Sequence, residues 1–225
     1  MSARPTRLDF YFDIMCPWAY QASKWIRNVR ERNGIEIVWK CFSLEEINRP
    51  EGKKHPWQRP WSYGWSLLRI SVLLRRRSMD EVDRFCATAG RALHEEGKKV
   101  HLVDGARQVL ADMGLDPQLV DAALADDTTH DEVRADHDAV VQRGGFGVPT
   151  LVFGDGTTLF GPVITPAPVG DEAMRLWDLA VRWAEFPRLY EMRRPKTAAD
   201  LDHIEDQFAT YYTARDWRTI SHPAP

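Results

Sequence analysis

Cys16, Cys41 and Cys86 are the residues of this chain with the most chemistry to offer. Three cysteines so scattered cannot build a disulfide framework, and no Cys-x-x-Cys pair or His-x-x-x-His cluster offers a zinc site. Cys16 stands apart because an aromatic run precedes it and Pro17 follows it directly. A cysteine at the first turn of a helix meets unpaired backbone N–H groups and the positive end of the helix dipole, and both favour a thiolate. Such a setting lowers a cysteine pKa from about 8.5 to about 3.5–7.5 and makes the sulfur a nucleophile near neutral pH. The same spacing suits a small residue that merely caps a helix, and spacing alone leaves both readings open. Cys41 falls in an alternating strand and Cys86 on an apolar helix face, where free cysteines are commonly inert. The second feature is Gly147-Val148-Pro149, immediately before a strand. A proline there is either cis, a deliberate feature where it occurs, or an ordinary strand-opening residue.

The elements that must position these residues follow from periodicity. Leu8 to Asp13 predicts a buried strand, and Pro17 is well placed at the start of a helix carrying Trp18, Ala22, Trp25, Ile26 and Val29 to Asn33-Gly34. Ile35 to Phe42 alternates as a second strand, so the opening segment is a βαβ unit. After the breaks at Pro50, Pro56 and Pro60, residues 57–145 read as helix throughout. Ser78 with Glu81, and Thr129 with Glu132, predict capping boxes there. Asp116-Pro117 opens a short helix between them, and Arg75-Arg76-Arg77 is expected to be a solvated helix end. Thr150 to Phe153, a Gly154-Asp155-Gly156 turn and Thr157 to Phe160 predict a hairpin, followed by a helix over Glu172 to Glu191 that Pro187 is expected to kink or end. Leu201, Ile204, Phe208 and Tyr211 keep helical spacing in the tail. The organisation expected is a discontinuous α/β domain (1–56 and 146–193), a helical insert (57–145) and a C-terminal extension (194–225).

Composition narrows the function classes. The chain has 225 residues, 30 Lys+Arg against 33 Asp+Glu, and a net charge of −3, so no basic field invites nucleic acid or an anionic membrane. Apolar residues at 44% and charged residues at 28% are globular values, and no apolar run reaches membrane-spanning length. The first residues lack the apolar stretch of a secretory signal, which makes a soluble cytoplasmic protein the expectation. Nine tryptophans supply flat apolar surface. Trp57, Trp61, Tyr63 and Trp65 open the helical segment, either as core between subdomains or as an apolar groove for a hydrophobic or nitroaromatic substrate.

The motifs "FYFDIMCPWAY", "GVPTLVF" and "FGPV", in that order, resemble the DsbA-like branch of the thioredoxin fold. The nearest resemblance is to the cytoplasmic mycothiol-dependent nitroreductases and FrnE-like oxidoreductases, over most of residues 7–193. The resemblance implies an α/β thioredoxin-like fold with a mixed central sheet and an all-helical insertion. It implies Cys16 as the catalytic nucleophile and a cis Pro149 opposite it. Pro17, Trp18, Val148, Pro149 and Thr150 then bind substrate or thiol, and the Val148 backbone pairs with an extended ligand. No metal is implied. The family's Cys-Pro-Trp-Cys is here Cys-Pro-Trp-Ala, with Ala19 in place of the resolving cysteine. A mixed disulfide on Cys16 then needs an external thiol, mycothiol or glutathione, as co-substrate. Two other readings stand beside this one. One is a thiol-dependent transferase or isomerase of the kappa-transferase and 2-hydroxychromene-2-carboxylate isomerase type, and the other is a redox-inactive binding module. The tail after Pro195 is left either to cap the groove or to join two copies as a homodimer.

Overall fold

The fold is built on β1 (Arg7–Phe12), whose side chains are buried from Leu8 onward except for a half-buried Asp9, so it lies inside the sheet. It pairs in parallel with β2 (Glu36–Cys41), Phe10 opposite Trp39, and antiparallel with β3 (Thr150–Phe153), Phe10 opposite Leu151. β4 (Thr158–Phe160) completes a mixed sheet in the order β2-β1-β3-β4. This computed structural model describes residues 5–215. A parallel pair needs a crossover, and α1 (Pro17–Asn33) supplies it. Gly34 ends α1 at φ +70°, a conformation that favours glycine, and its N–H bonds the Arg30 carbonyl. Trp25 of α1 donates its indole N–H to the Ala173 carbonyl of α8 (Gly170–Ala184) at 2.9 Å, fixing the two helices together.

Between β2 and β3 the chain is helical: α2 (Leu44–Ile47), a 3₁₀ turn at Pro56–Gln58, α3 (Tyr63–Arg77), α4 (Met79–His94), α5 (Val103–Asp112), α6 (Leu119–Ala125) and α7 (Asp127–Val141). α3 is buried nearly all round, with Leu67, Leu68, Ile70, Val72 and Leu74 at 0% exposure. Such a helix belongs inside a helical layer. Asp136 of α7 joins that layer to the sheet. Its carboxylate accepts from the Lys40 ammonium at 3.0 Å, the Cys41 N–H at 3.1 Å and the Arg75 guanidinium. A buried carboxylate persists only when paired in this way.

Four expectations need correction. Arg75 is drawn inward to Asp136 and Glu132 and is not a solvated end. The cap of α7 is Asp126, which accepts from the Thr128 N–H. Thr129 is instead fully buried, donating to the Ala123 carbonyl, and Glu132 faces Arg75 and Arg76. α8 stops at Ala184, ahead of Pro187, which cannot continue it. β4 starts at Thr158, one residue later than the spacing suggests. α9 (Ala198–Ala214) follows an exposed stretch, opens with a Thr197–Asp200 capping box and packs on α4. No helix among the described residues is long and apolar enough to cross a membrane.

Candidate active site

Cys16 is the N-cap of α1, with Pro17 in the first turn. Its Sγ accepts the Ala19 N–H at 3.4 Å and lies 3.6 Å from the Val148 carbonyl, to which the thiol donates. The Val148–Pro149 peptide is cis. Chain crossing thus brings together residues 132 positions apart. Thr150 is buried and donates its hydroxyl to the Gly147 carbonyl at 2.8 Å, tying down the turn that carries Val148 and Pro149. The Pro149 carbonyl accepts the Gly161 N–H at 2.8 Å, which docks the "FGPV" segment against the same turn. Trp18 and Pro17 remain partly exposed. All six residues singled out from the sequence therefore lie around one junction, where the N-terminus of α1 meets the start of β3.

The electrostatics depart from expectation. Cys16 is only 6% exposed, packed with Tyr11, Phe42, Val140, Val148 and Val152. Burial is the largest influence on its thiol and pushes the pKa up to about 12. The Ala19 N–H pulls the other way, as a helix start should, and the nearby Asp13 carboxylate adds to the rise. The expected thiolate is thus a neutral thiol in this arrangement, because desolvation outweighs the helix terminus. Cys41 and Cys86 are buried and raised as well.

α9 packs beside this junction. Phe208 meets the Trp18 indole edge-on at 4.8 Å, and Tyr211 lies within electrostatic range of Cys16 and Asp13. Tyr211 also packs on His94, which in turn stacks on Tyr20 at 4.9 Å. Burial holds His94 down at about 4, so the ring is neutral and its Nε2–H donates to the Ile14 carbonyl at 2.8 Å.

Two residues near Cys16 escaped the sequence reading. Asp13, 2% exposed, accepts from the Met15 N–H through one oxygen and from the Leu44 N–H through the other, and burial pushes its carboxyl up to about 6. A carboxylate inside the aromatic run three residues before the cysteine was the available signal. His137 accepts the Ser43 N–H at Nδ1 and packs on Phe42, with nothing in the sequence to mark it. Of the aromatic cluster, Trp61 turns away to bond the His101 carbonyl, whereas Trp57 and Trp65 line a cleft of about 390 Å³. Glu46, Arg134, His137 and Asp138 share that lining, so the cleft is polar and is not the apolar groove of one reading, whereas Trp65 is core and Trp57, Trp61 and Tyr63 pack against it, as the other reading had it. Among the described residues no cluster of three or more His, Cys, Asp or Glu side chains could hold a metal.

Comparison with known proteins places this geometry. An uncharacterized protein of Mycobacterium tuberculosis (strain ATCC 25618 / H37Rv), Rv2286c, is 53% identical over 216 residues, covering 96% of this chain and 94% of that one. Among solved structures, a probable DsbA oxidoreductase from Streptomyces coelicolor, SCO1869, superposes with a TM-score of 0.59 at 21% identity, over 85% of this chain and 94% of that one. A 2-hydroxychromene-2-carboxylate isomerase superposes with a TM-score of 0.58 at 17% identity, over 81% and 96%. At these identities the structural matches establish the DsbA-like thioredoxin fold. A family match spans residues 15–194, which takes in Cys16, Pro149 and the whole helical layer and stops short of α9. The chain belongs to the Rv2466c-like family, described as mycothiol-dependent nitroreductase Rv2466c.

Proposed function

We propose that the protein is a thiol-dependent oxidoreductase in which Cys16 is the sole nucleophile. It would reduce disulfides or hydrophobic nitroaromatic substrates at the expense of a low-molecular-weight thiol, mycothiol or glutathione. The observation that carries this reading is the Cys16 sulfur at the start of α1, 3.6 Å from the Val148 carbonyl beside cis Pro149. In the exchange step the Cys16 thiolate attacks a disulfide, a new S–S bond forms to Cys16, and the departing thiolate takes up the proton that Cys16 released. With Ala19 where a second sulfur would stand, a further molecule of small thiol attacks the mixed disulfide and regenerates Cys16. Cys86 lines a small void together with Ala19, but its thiol is buried and held protonated.

The neutral, covered thiol sets a condition on this cycle. Attack requires water and the ligand to reach the sulfur, and α9, docked on Trp18 beside it, is the element taken to lift. Once desolvation is relieved, the Ala19 N–H and the helix terminus are left to lower the pKa. The test is the intact mass of the protein after incubation with oxidised mycothiol and with oxidised glutathione. One thiol adduct on Cys16, absent in Cys16→Ser, is expected. No adduct on wild type, nor on a Phe208→Ala variant with α9 loosened, overturns the proposal.

One observation favours a second reading. A protonated Sγ that donates to a backbone carbonyl behaves as a hydroxyl would, orienting a bound thiol without reacting. A transferase or isomerase of that kind would keep turnover in Cys16→Ser, where the redox cycle loses it.

A further inference from the structure

The stretch between α8 and α9 carries a surface that the thiol site does not use. Phe186, Tyr190 and Met192 are 60%, 87% and 61% exposed there. Leu179 and Arg182, three positions apart on the outward stripe of α8, are exposed as well, and Phe186 follows just past the end of that helix. Hydrogen bonds hold this region in shape. The Leu189 N–H bonds the Phe186 carbonyl at 3.0 Å, and Trp183 of α8 donates its indole N–H to the Leu189 carbonyl at 2.9 Å. Residues 186–189 are thus a turn pinned to the end of α8, with Phe186 and Tyr190 left outside. Large apolar side chains grouped in this way mark an interaction surface.

Cations surround these side chains. From Phe186 to Thr197 the exposed Arg188, Arg193, Arg194 and Lys196 stand against one acid, Glu191, while Arg182 and Glu185 just upstream balance one another. The chain's net charge of −3 therefore masks a local positive excess. Glu191 lies 3.8 Å from Arg193, and Arg194 is within electrostatic range of Asp200. Arg188 and Lys196 have no ion pair among the described residues. Elsewhere Arg27, Arg30, Arg75 and Arg76 all hold carboxylates. A second copy docked here about a two-fold axis would set cations against cations. Nucleic acid would meet the cations but offers nothing to bury Leu179 and Met192. An anionic bilayer satisfies both halves of the surface, since aromatic and aliphatic side chains enter the headgroup boundary while Arg and Lys meet the phosphates.

We propose that Phe186, Tyr190 and Met192, with the cations around them, dock the protein reversibly on an anionic lipid surface. The docking is independent of the chemistry at Cys16, and the family match stops at residue 194, within this stretch. The test is cosedimentation of the full-length protein with vesicles of phosphatidylcholine alone and of phosphatidylcholine mixed with phosphatidylglycerol. Binding to the anionic vesicles that weakens as salt is raised is expected. The partition coefficient falls about tenfold or more in Arg193→Ser/Arg194→Ser/Lys196→Ser, by loss of attraction to phosphate, and in Phe186→Ser/Tyr190→Ser, by loss of apolar insertion. All five positions are exposed, so both variants keep the urea midpoint of wild type. No binding to anionic vesicles, equal binding to the neutral ones, or binding undiminished in either variant overturns the inference. A dimer in sedimentation velocity that Phe186→Ser/Tyr190→Ser dissolves overturns it too, by giving the surface to a second copy.

Discussion

Asp13 shows how strongly single-residue behaviour here depends on burial. Its folded-state pKa, about 6, lies above the ordinary value of 3.8, with desolvation the leading cause. Between those values the folded chain binds the proton more tightly than the unfolded chain does. Its contribution to stability is therefore largest at low pH and is lost as pH rises through about 6. In urea unfolding, the stability of wild type minus that of Asp13→Asn is expected to fall by about 2–3 kcal/mol from pH 4 to pH 7. A flat or rising difference would mean that the Met15 and Leu44 N–H groups compensate the buried charge. The place of Cys16 was legible in the sequence, because an N-cap and a following proline are local signals. Its protonation state was not. Phe42 and Val140, which with Val148 take water from the sulfur, are distant in sequence and carry no mark of where they pack.

Among the elements, α9 separates what a helix's own residues specify from what its docking decides. Leu201, Ile204, Phe208 and Tyr211 announce the helix, and Thr197 with Asp200 caps it. Nothing in that spacing says that Phe208 will land on Trp18. The opposite failure occurred at α7, where Thr129 and Glu132 have capping-box spacing but the Asp126 carboxylate takes the role, leaving Thr129 for the interior. Phe208→Ala removes the edge-on contact at 4.8 Å. Alkylation of Cys16 by iodoacetamide at pH 8 is expected to speed up about tenfold or more, with little change in the urea midpoint, since local opening needs far less than global unfolding. An unchanged rate in folded variant would show that the sulfur is shut in by the sheet and α7 alone.

At the scale of the whole molecule, the contact between the sheet and the helical layer at Asp136 holds the two halves of the thiol site in register. β2 and α7 lead directly to Phe42 and Val140, which both pack on Cys16. Asp136→Ala would leave Arg75 with only Glu132 and the Trp39 carbonyl and would strip the Lys40 ammonium and the buried Cys41 N–H of this acceptor, and is expected to cost about 3–5 kcal/mol in chemical denaturation. A loss under about 1 kcal/mol would mean that water or Glu132 takes over. The α/β frame, the helical run between β2 and β3 and the junction of α1 with β3 could be anticipated from periodicity and from three short motifs. The cleft could not, because Glu46, Trp57 and His137 converge only once α2 and α7 are packed. The burial of all three sulfurs has a practical corollary. A coloured thiol reagent added to the native protein becomes a counter with two settings: one equivalent released while the C-terminal helix breathes, and the remaining two only when the interior comes apart.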